Sequence, residues 1–336
     1  MQKISHEKVH EEAIIIDAVC PLLQQKKYID WYIEGGATAV APTVASGESS
    51  SEALRSLGGW LRFVKDDERL TLVKRATDIE RAKRDGKTGI ILHFQGTDPI
   101  EDNLDLVDAY KELGVGMIQL TYNVKNRIGD GATERTDSGL SYFGLEFVRR
   151  CNEAKVIVDC SHTGYRTTMD AIEASTQPVV FSHANAKAVK ESPRNITDEQ
   201  AKAVADTGGL VGVVGFPGFV ADTARPTLDQ FIDHIEHYAN LVGIDHVALG
   251  IDYYTGQFPV ADEEQAAATY RSFIDTGRWR ADTYPPPPHH FPEGIGTPRE
   301  LPNLTKRLLE RGYSVKDTKK VLGENWVRVF RAVWGA

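Results

Sequence analysis

The chain has 336 residues, 41% hydrophobic and 26% charged, a composition able to bury a large core in one large domain or two average ones. Its 39 basic residues against 48 acidic ones leave a net charge of −9, which speaks against a general affinity for nucleic acid or anionic membrane, since either needs a basic surface. Three widely spaced cysteines, Cys20, Cys151 and Cys160, make no disulfide framework and suit a reducing compartment.

The opening segment MQKISHEKVHEEAIIID is polar and helical in character and reads as neither a secretory signal nor a transit peptide. No run of about 18 apolar residues offers a membrane span, so a cytoplasmic protein that binds no membrane is the expectation. Short β-rich runs follow at Ile14–Asp17, Ala37–Pro42, Gly89–Phe94, Val115–Leu120, Val156–Ser161, Pro178–Ser182, Leu210–Phe216 and His246–Ile251. They are apolar almost throughout rather than alternating, as strands buried on both faces of a parallel sheet should be. Helical stretches lie between them at Ile100–Leu113, Tyr142–Ala154, Thr167–Ser175, Ile196–Thr207 and Leu228–Val242. In the first of these Leu104, Val107, Ala109 and Leu113 share a face.

Eight such strands separated by helices predict an α/β fold, a (β/α)8 TIM barrel with C-terminal helices. The competing doubly wound sheet lacks its Gly-rich phosphate loop, and RDGKTGI at Arg84–Ile90 leads into a strand where a P-loop would lead into a helix. A polar loop, Asn123–Gly139, follows the fourth strand, and the Pro-rich Tyr284–Pro298 segment is expected to cross the barrel mouth or an edge as irregular chain. Its His289 and His290 could line a site, but an exposed ordered loop is the expectation. Terminal helices occupy residues 299–334, with Gly312 as a helix stop and Ser314 as a cap ahead of Asp317. No repeat or linker is visible, so residues 1–336 are read as one domain.

In a parallel barrel the chemistry gathers where strands end. Those positions hold Asp17, Gln95, Tyr122, Asn123, His162, His183 and Asp252. A lone histidine is ordinarily a hydrogen-bonded structural residue. Two at matching ends of consecutive strands place their imidazoles within reach of one metal ion.

The segments DCSH, FSHANA with PRN, GIDYY and LGENWVRVF carry more. With LTYN and GGLVGVVGFPGFV they resemble the membrane (renal) dipeptidase family of the amidohydrolase superfamily, from about Gly114 to Phe330 and more loosely before that. The resemblance implies a (β/α)8 hydrolase of dipeptides with two zinc ions. His162 and His183 match the histidines of one zinc, Arg194 the arginine that grips the substrate carboxylate, and Asp252 the aspartate that handles the proton of the attacking water. Tyr122 and Asn123 fall where substrate is contacted.

The departures are as informative. The family's first strand ends D-G-H-x-D, and here IIIDAVCPLL puts Val19 and Pro21 at the ligand positions. Gln95 replaces the glutamate that bridges the metals, and Tyr122 replaces a histidine. Two dications without those carboxylates would be costly to bury. The expectation is a dipeptidase-like amidohydrolase with at most one Zn2+ or other divalent ion, held by His162, His183 and Gln95. The alternatives are metal-free acid–base chemistry on the same fold and a catalytically inactive barrel that binds a small carboxylate. A homodimer is what the family implies. Cys20 and His93 are read as structural.

Overall fold

The computed structural model describes residues 5–335. Eleven strands form: β1 Ile16–Asp17, β2 Ala39–Val40, β3 Thr43–Ala45, β4 Leu70–Leu72, β5 Thr88–Ile90, β6 Leu92–Phe94, β7 Val115–Gln119, β8 Ile157–Asp159, β9 Val180–Phe181, β10 Leu210–Val213 and β11 Val247–Leu249. All named pairings are parallel. One run of neighbours is β1-β2-β5-β4 and the other β11-β10-β9-β8-β7-β6-β3. β2 and β3 are halves of one stave, as are β5 and β6, and β4 is an extra strand beside β5. The ends join: the Ala18 amide donates to the Leu249 carbonyl at 3.4 Å and the Asp252 amide to the Val19 carbonyl at 3.2 Å. The result is the (β/α)8 barrel that the apolar runs predict, with every predicted strand present.

Helices cover the outside. Tyr142–Ala154 and Leu228–Val242 keep the predicted bounds, capped by Ser141 and Thr227. The predicted helix Ile100–Leu113 needs correction: it runs over Asp105–Leu113, and Val107 and Tyr110 are buried while Ala109 is exposed. A 3-10 turn at Asp98–Ile100 with Pro99 takes the first part of that stretch. Among the helices that went unpredicted, Ser50–Asp66 and Glu263–Asp275 each open on a capping box, Ser49 with Glu52 and Asp262 with Gln265. Among the described residues no helix is long and apolar enough to cross a membrane.

One end of the barrel is plugged. The terminal helix Asn325–Trp334 lays Trp326, Phe330 and Trp334 in a stacked row against Ile16, Met117, Ile157 and Leu210, near the strand beginnings. Trp326 and Trp334 donate their indole N–H to the Leu249 and Gly116 carbonyls at 2.9 and 3.0 Å. A side chain at position 116 would stand 2.5 Å from the Trp334 ring, so glycine is required there. Emptying this plug, as in Phe330→Ala, costs about 3–5 kcal/mol. The opposite end, where strands terminate, is left for chemistry.

Candidate active site at the strand ends

β8 and β9 end in Asp159-Cys160-Ser161-His162 and Ser182-His183. Asp159 anchors both. Its Oδ1 accepts the Ser161 and Ser182 amides at 2.9 and 2.8 Å, and its Oδ2 accepts the Ser182 hydroxyl at 2.5 Å. Burial alone would raise this carboxyl, but the neighbouring His93 and His183 imidazoles and the Ser182 hydroxyl hold it down to about 2. The Ser182 hydroxyl, having given its proton to Asp159, accepts from His183 Nδ1 at 2.8 Å. His183 Nε2 therefore carries a lone pair. It faces the Gln95 amide at 3.5 Å.

His162 is set the same way from another direction. Its Nδ1 donates to Asn123 Oδ1 at 2.7 Å, which leaves Nε2 as a buried lone pair with no partner. The two rings lie 4.8 Å apart at 62°, and Tyr122 stacks on His162 at 4.1 Å. Burial, helped by Arg194, pushes both imidazoles well below the ordinary histidine range, so both are neutral at pH 7.

Asp252 stands opposite, at the end of β11. A side chain at Gly250 would meet the Ser182 carbonyl at 1.8 Å, so glycine lets the ends of β9 and β11 approach. Asp252 is half-buried, but its Oδ1 is shut off from solvent and unpartnered, and desolvation raises its carboxyl well above the usual range while Arg194 opposes. Asn123, His162 and Asp252 are three of the five non-glycine residues with positive φ, at 65°, 63° and 67°. Backbone strain of this kind collects where geometry is held for function.

The β1 end differs. Asp17 accepts the Ile251 amide through Oδ1 at 2.8 Å, its Oδ2 has no partner, and burial lifts its carboxyl to about 7. Val19 is fully buried and Pro21 opens a 3-10 turn, Pro21–Gln24. Cys20 is buried, its thiol 3.3 Å from the Asp17 carbonyl, and burial raises it well above the thiol range. It is inert.

Gln95, Tyr122, His162 and Asp252 line one cavity of about 150 Å³. Arg194 lines a second, of about 270 Å³, on the other side of His162. Arg194 is 3% exposed, and its Nε donates to the Tyr284 hydroxyl at 3.1 Å. Asn123 lines neither cavity: its amide is spent on His162, the Arg278 carbonyl at 2.8 Å and the Tyr284 hydroxyl at 2.9 Å. It holds His162 from behind.

Sequence reasoning missed the roof. Trp279 stacks on Tyr284 and on Phe273, both at 4.3 Å, and donates to the Tyr122 hydroxyl at 3.1 Å. Arg278 lines the smaller cavity beneath it. The Pro-rich segment crosses this mouth, but His289 is buried rather than exposed, bonded to the Tyr254 hydroxyl and the Pro285 carbonyl. It is wall, not site. His93 is buried beside Asp159 at 3.6 Å.

The donors that a metal centre needs are only partly present. His162 lines the cavity with a partnerless Nε2, and His183, fully buried behind it, turns a second unprotonated Nε2 toward the Gln95 amide. Val19, Pro21 and Gln95 cannot supply the anionic half of a binuclear centre. Among the described residues no group of three or more His, Cys, Asp or Glu is placed to hold an ion, so further donors must be the Gln95 amide or solvent. Such a site is weak.

A profile of the membrane dipeptidase family, peptidase family M19, matches residues 37–276 and 288–335. The protein of the pqqA 5′ region of Klebsiella pneumoniae is 30% identical over 276 residues, 79% of this chain and 90% of its own length. Dipeptidase tcpJ of Claviceps purpurea is 27% identical over 269 residues, covering 79% of this chain and 56% of that protein. Among solved structures, an amidohydrolase from Pseudomonas aeruginosa superposes with a TM-score of 0.90 at 35% identity, covering 99% of this chain and 100% of that one. A Rhodobacter sphaeroides metallopeptidase bound to a phosphinate mimic of L-Ala-D-Ala shares the fold, with a TM-score of 0.80 at 20% identity over 96% of this chain and 100% of that one.

Proposed function

Because the chain belongs to the membrane dipeptidase family, peptidase family M19, and is a hydrolase of that kind, we propose that it cleaves the amide bond of a small, carboxylate-bearing, dipeptide-like substrate with at most one divalent ion in its site. The observation that carries this is the convergence of the His162 and His183 rings, 4.8 Å apart, beside the unpartnered carboxylate oxygen of Asp252. Arg194 offers its planar guanidinium to the substrate carboxylate. His162 and His183 would hold the ion, with Gln95 as a neutral third donor. A divalent ion there supplies Lewis-acid polarisation of the scissile carbonyl. Asp252 takes the proton of the attacking water and returns it to the leaving amine. Tyr122 closes the cavity over His162 and contacts the substrate's polar end. Asn123 keeps the imidazole in the tautomer that leaves Nε2 free.

Purified protein assayed on Ala-Ala and on Ala-D-Ala, before and after chelation, tests the reading. Hydrolysis lost on chelation and restored by Zn2+ is the expected outcome. Full activity after chelation removes the ion from the reaction, and no turnover of either peptide overturns the substrate class. The lack, among the described residues, of a third imidazole, thiolate or carboxylate donor favours a second reading, metal-free acid–base chemistry by Asp252 and the imidazoles. It predicts exchange of a substrate C–H proton for deuterium with no net hydrolysis.

A further inference from the structure

Arg278 is placed unlike the paired arginines of the surface. Arg69 pairs with Asp30 and Asp67, Arg307 with Asp229, and Arg311 with Asp233. Arg278 is half-buried in the wall of the reaction cavity, and among the described residues it has no ion-pair partner. Its guanidinium lies 4.5 Å from the centre of the Tyr122 ring and donates to the Ser46 hydroxyl. Neither contact cancels its charge. Glu48 lines the same cavity but caps the Ser46 amide, and Asp98, raised by burial in spite of Arg278, makes no ion pair with it.

The position of this charge is fixed. The Arg278 carbonyl accepts from Asn123 Nδ2 at 2.8 Å, and the next residue, Trp279, is clamped between Tyr284 and Phe273. The same Asn123 holds His162, and the same Tyr284 holds Arg194. His162 lines both the cavity of Arg278 and the cavity of Arg194. Two guanidiniums thus flank the imidazole pair, one in each cavity, joined by one set of hydrogen bonds. Arg194 takes one carboxylate of a dipeptide-like substrate. A neutral acyl side would leave Arg278 facing it without a counter-charge.

We propose that Arg278 is a second anion anchor and a specificity-determining residue, and that the substrates are amides carrying a carboxylate on the acyl side as well as the one held by Arg194. An acidic N-terminal residue and a dicarboxylic acyl group share this chemistry. The proposal rests on the reading of the chain as a hydrolase of dipeptide-like amides.

The test compares kcat/KM for Glu-Ala against Gln-Ala, and for N-succinyl-alanine against its half-amide, in the wild-type protein and in Arg278→Gln and Arg278→Lys. The first pair reports an acidic residue, the second a dicarboxylic acyl group. A charge-assisted contact predicts that the acid of at least one pair is preferred ~10- to 100-fold by wild type. In Arg278→Gln that ratio falls to about one through the KM of the acid, and Arg278→Lys keeps part of it. A structural role for Arg278 in holding the roof would slow both members of a pair equally and leave the ratio intact. Equal rates within both pairs in wild type, or an unchanged ratio in folded Arg278→Gln, overturn the proposal. If none of the four amides is cleaved, the amide-hydrolase reading fails, and thermal stabilisation by glutarate decides this one separately. A larger shift with glutarate than with butyrate, abolished in Arg278→Gln, supports the anchor; equal shifts reject it.

Discussion

At the ends of β8 and β9 a buried carboxylate, Asp159, is satisfied by two amides and a hydroxyl and stays ionised, and through Ser182 it aims a neutral imidazole at Gln95. At the end of β1 an equally buried carboxylate, Asp17, has one oxygen without a partner and a carboxyl lifted to about 7, beside a valine, a buried thiol and a proline. Both are strand ends of one parallel barrel, built from short apolar strands. What separates them is whether hydrogen-bond donors surround the acid. At β8 they do, and the acid stays ionised; at β1 they do not, and burial drives the acid toward neutrality beside apolar neighbours.

Asp252→Asn should give the largest effect, because it removes the proton carrier while keeping the shape. A fall of ~10²–10⁴-fold in kcat/KM is expected, with a melting temperature close to wild type. Near-normal activity would move the chemistry away from the β9 and β11 ends.

Asp159→Asn tests the satisfied side of the comparison. A neutral amide cannot accept from both serine amides and the Ser182 hydroxyl as the carboxylate does, and about 3 kcal/mol of stability should be lost in urea unfolding at pH 7. The stabilisation from Asp159 is present above the ordinary carboxylate range, because its folded carboxyl lies at about 2, and it disappears as pH falls through that value. A variant as stable as wild type would mean that the network is ornamental.

Asp17→Asn tests the other side, with a smaller effect of opposite sign. A carboxyl raised in the folded state binds more protons there than in the unfolded chain. Its contribution is complete below the ordinary carboxylate range and is lost as pH rises through about 7. Asn keeps an acceptor for the Ile251 amide and carries no charge, so the variant should be more stable than wild type at pH 8 and lose that advantage at pH 4. Unchanged pH dependence of the melting temperature would contradict the contrast between the two acids.

Much of this was legible in the sequence. Continuous apolar runs located all eight staves, since strands buried on both faces leave no other pattern, and strand-end histidines pointed to the mouth. The helix Ser50–Asp66 was legible too, through the Ser49 and Glu52 capping box and the helical spacing of Ala53, Leu57 and Trp60, but it went unread. Ala109 was placed on the core face of its helix because Pro99 and the 3-10 turn before it shift the start and turn Tyr110 inward. Arg278, Trp279 and Tyr284 were invisible, since their roles depend on a loop folding back over β7 and β8 from more than a hundred residues away. Asn123 was read as a substrate contact because its strand-end position is right; its left-handed backbone, which turns the amide behind His162, has no signature in residue type.

The central claim is that this barrel kept the imidazole half of a family metal centre and lost the half at β1. Metal content of protein purified without chelators and dialysed against Zn2+ tests it directly. The account predicts at most one divalent ion per chain, absent from the His162→Ala/His183→Ala double variant. Two ions per wild-type chain, or an ion retained by the double variant, would contradict it.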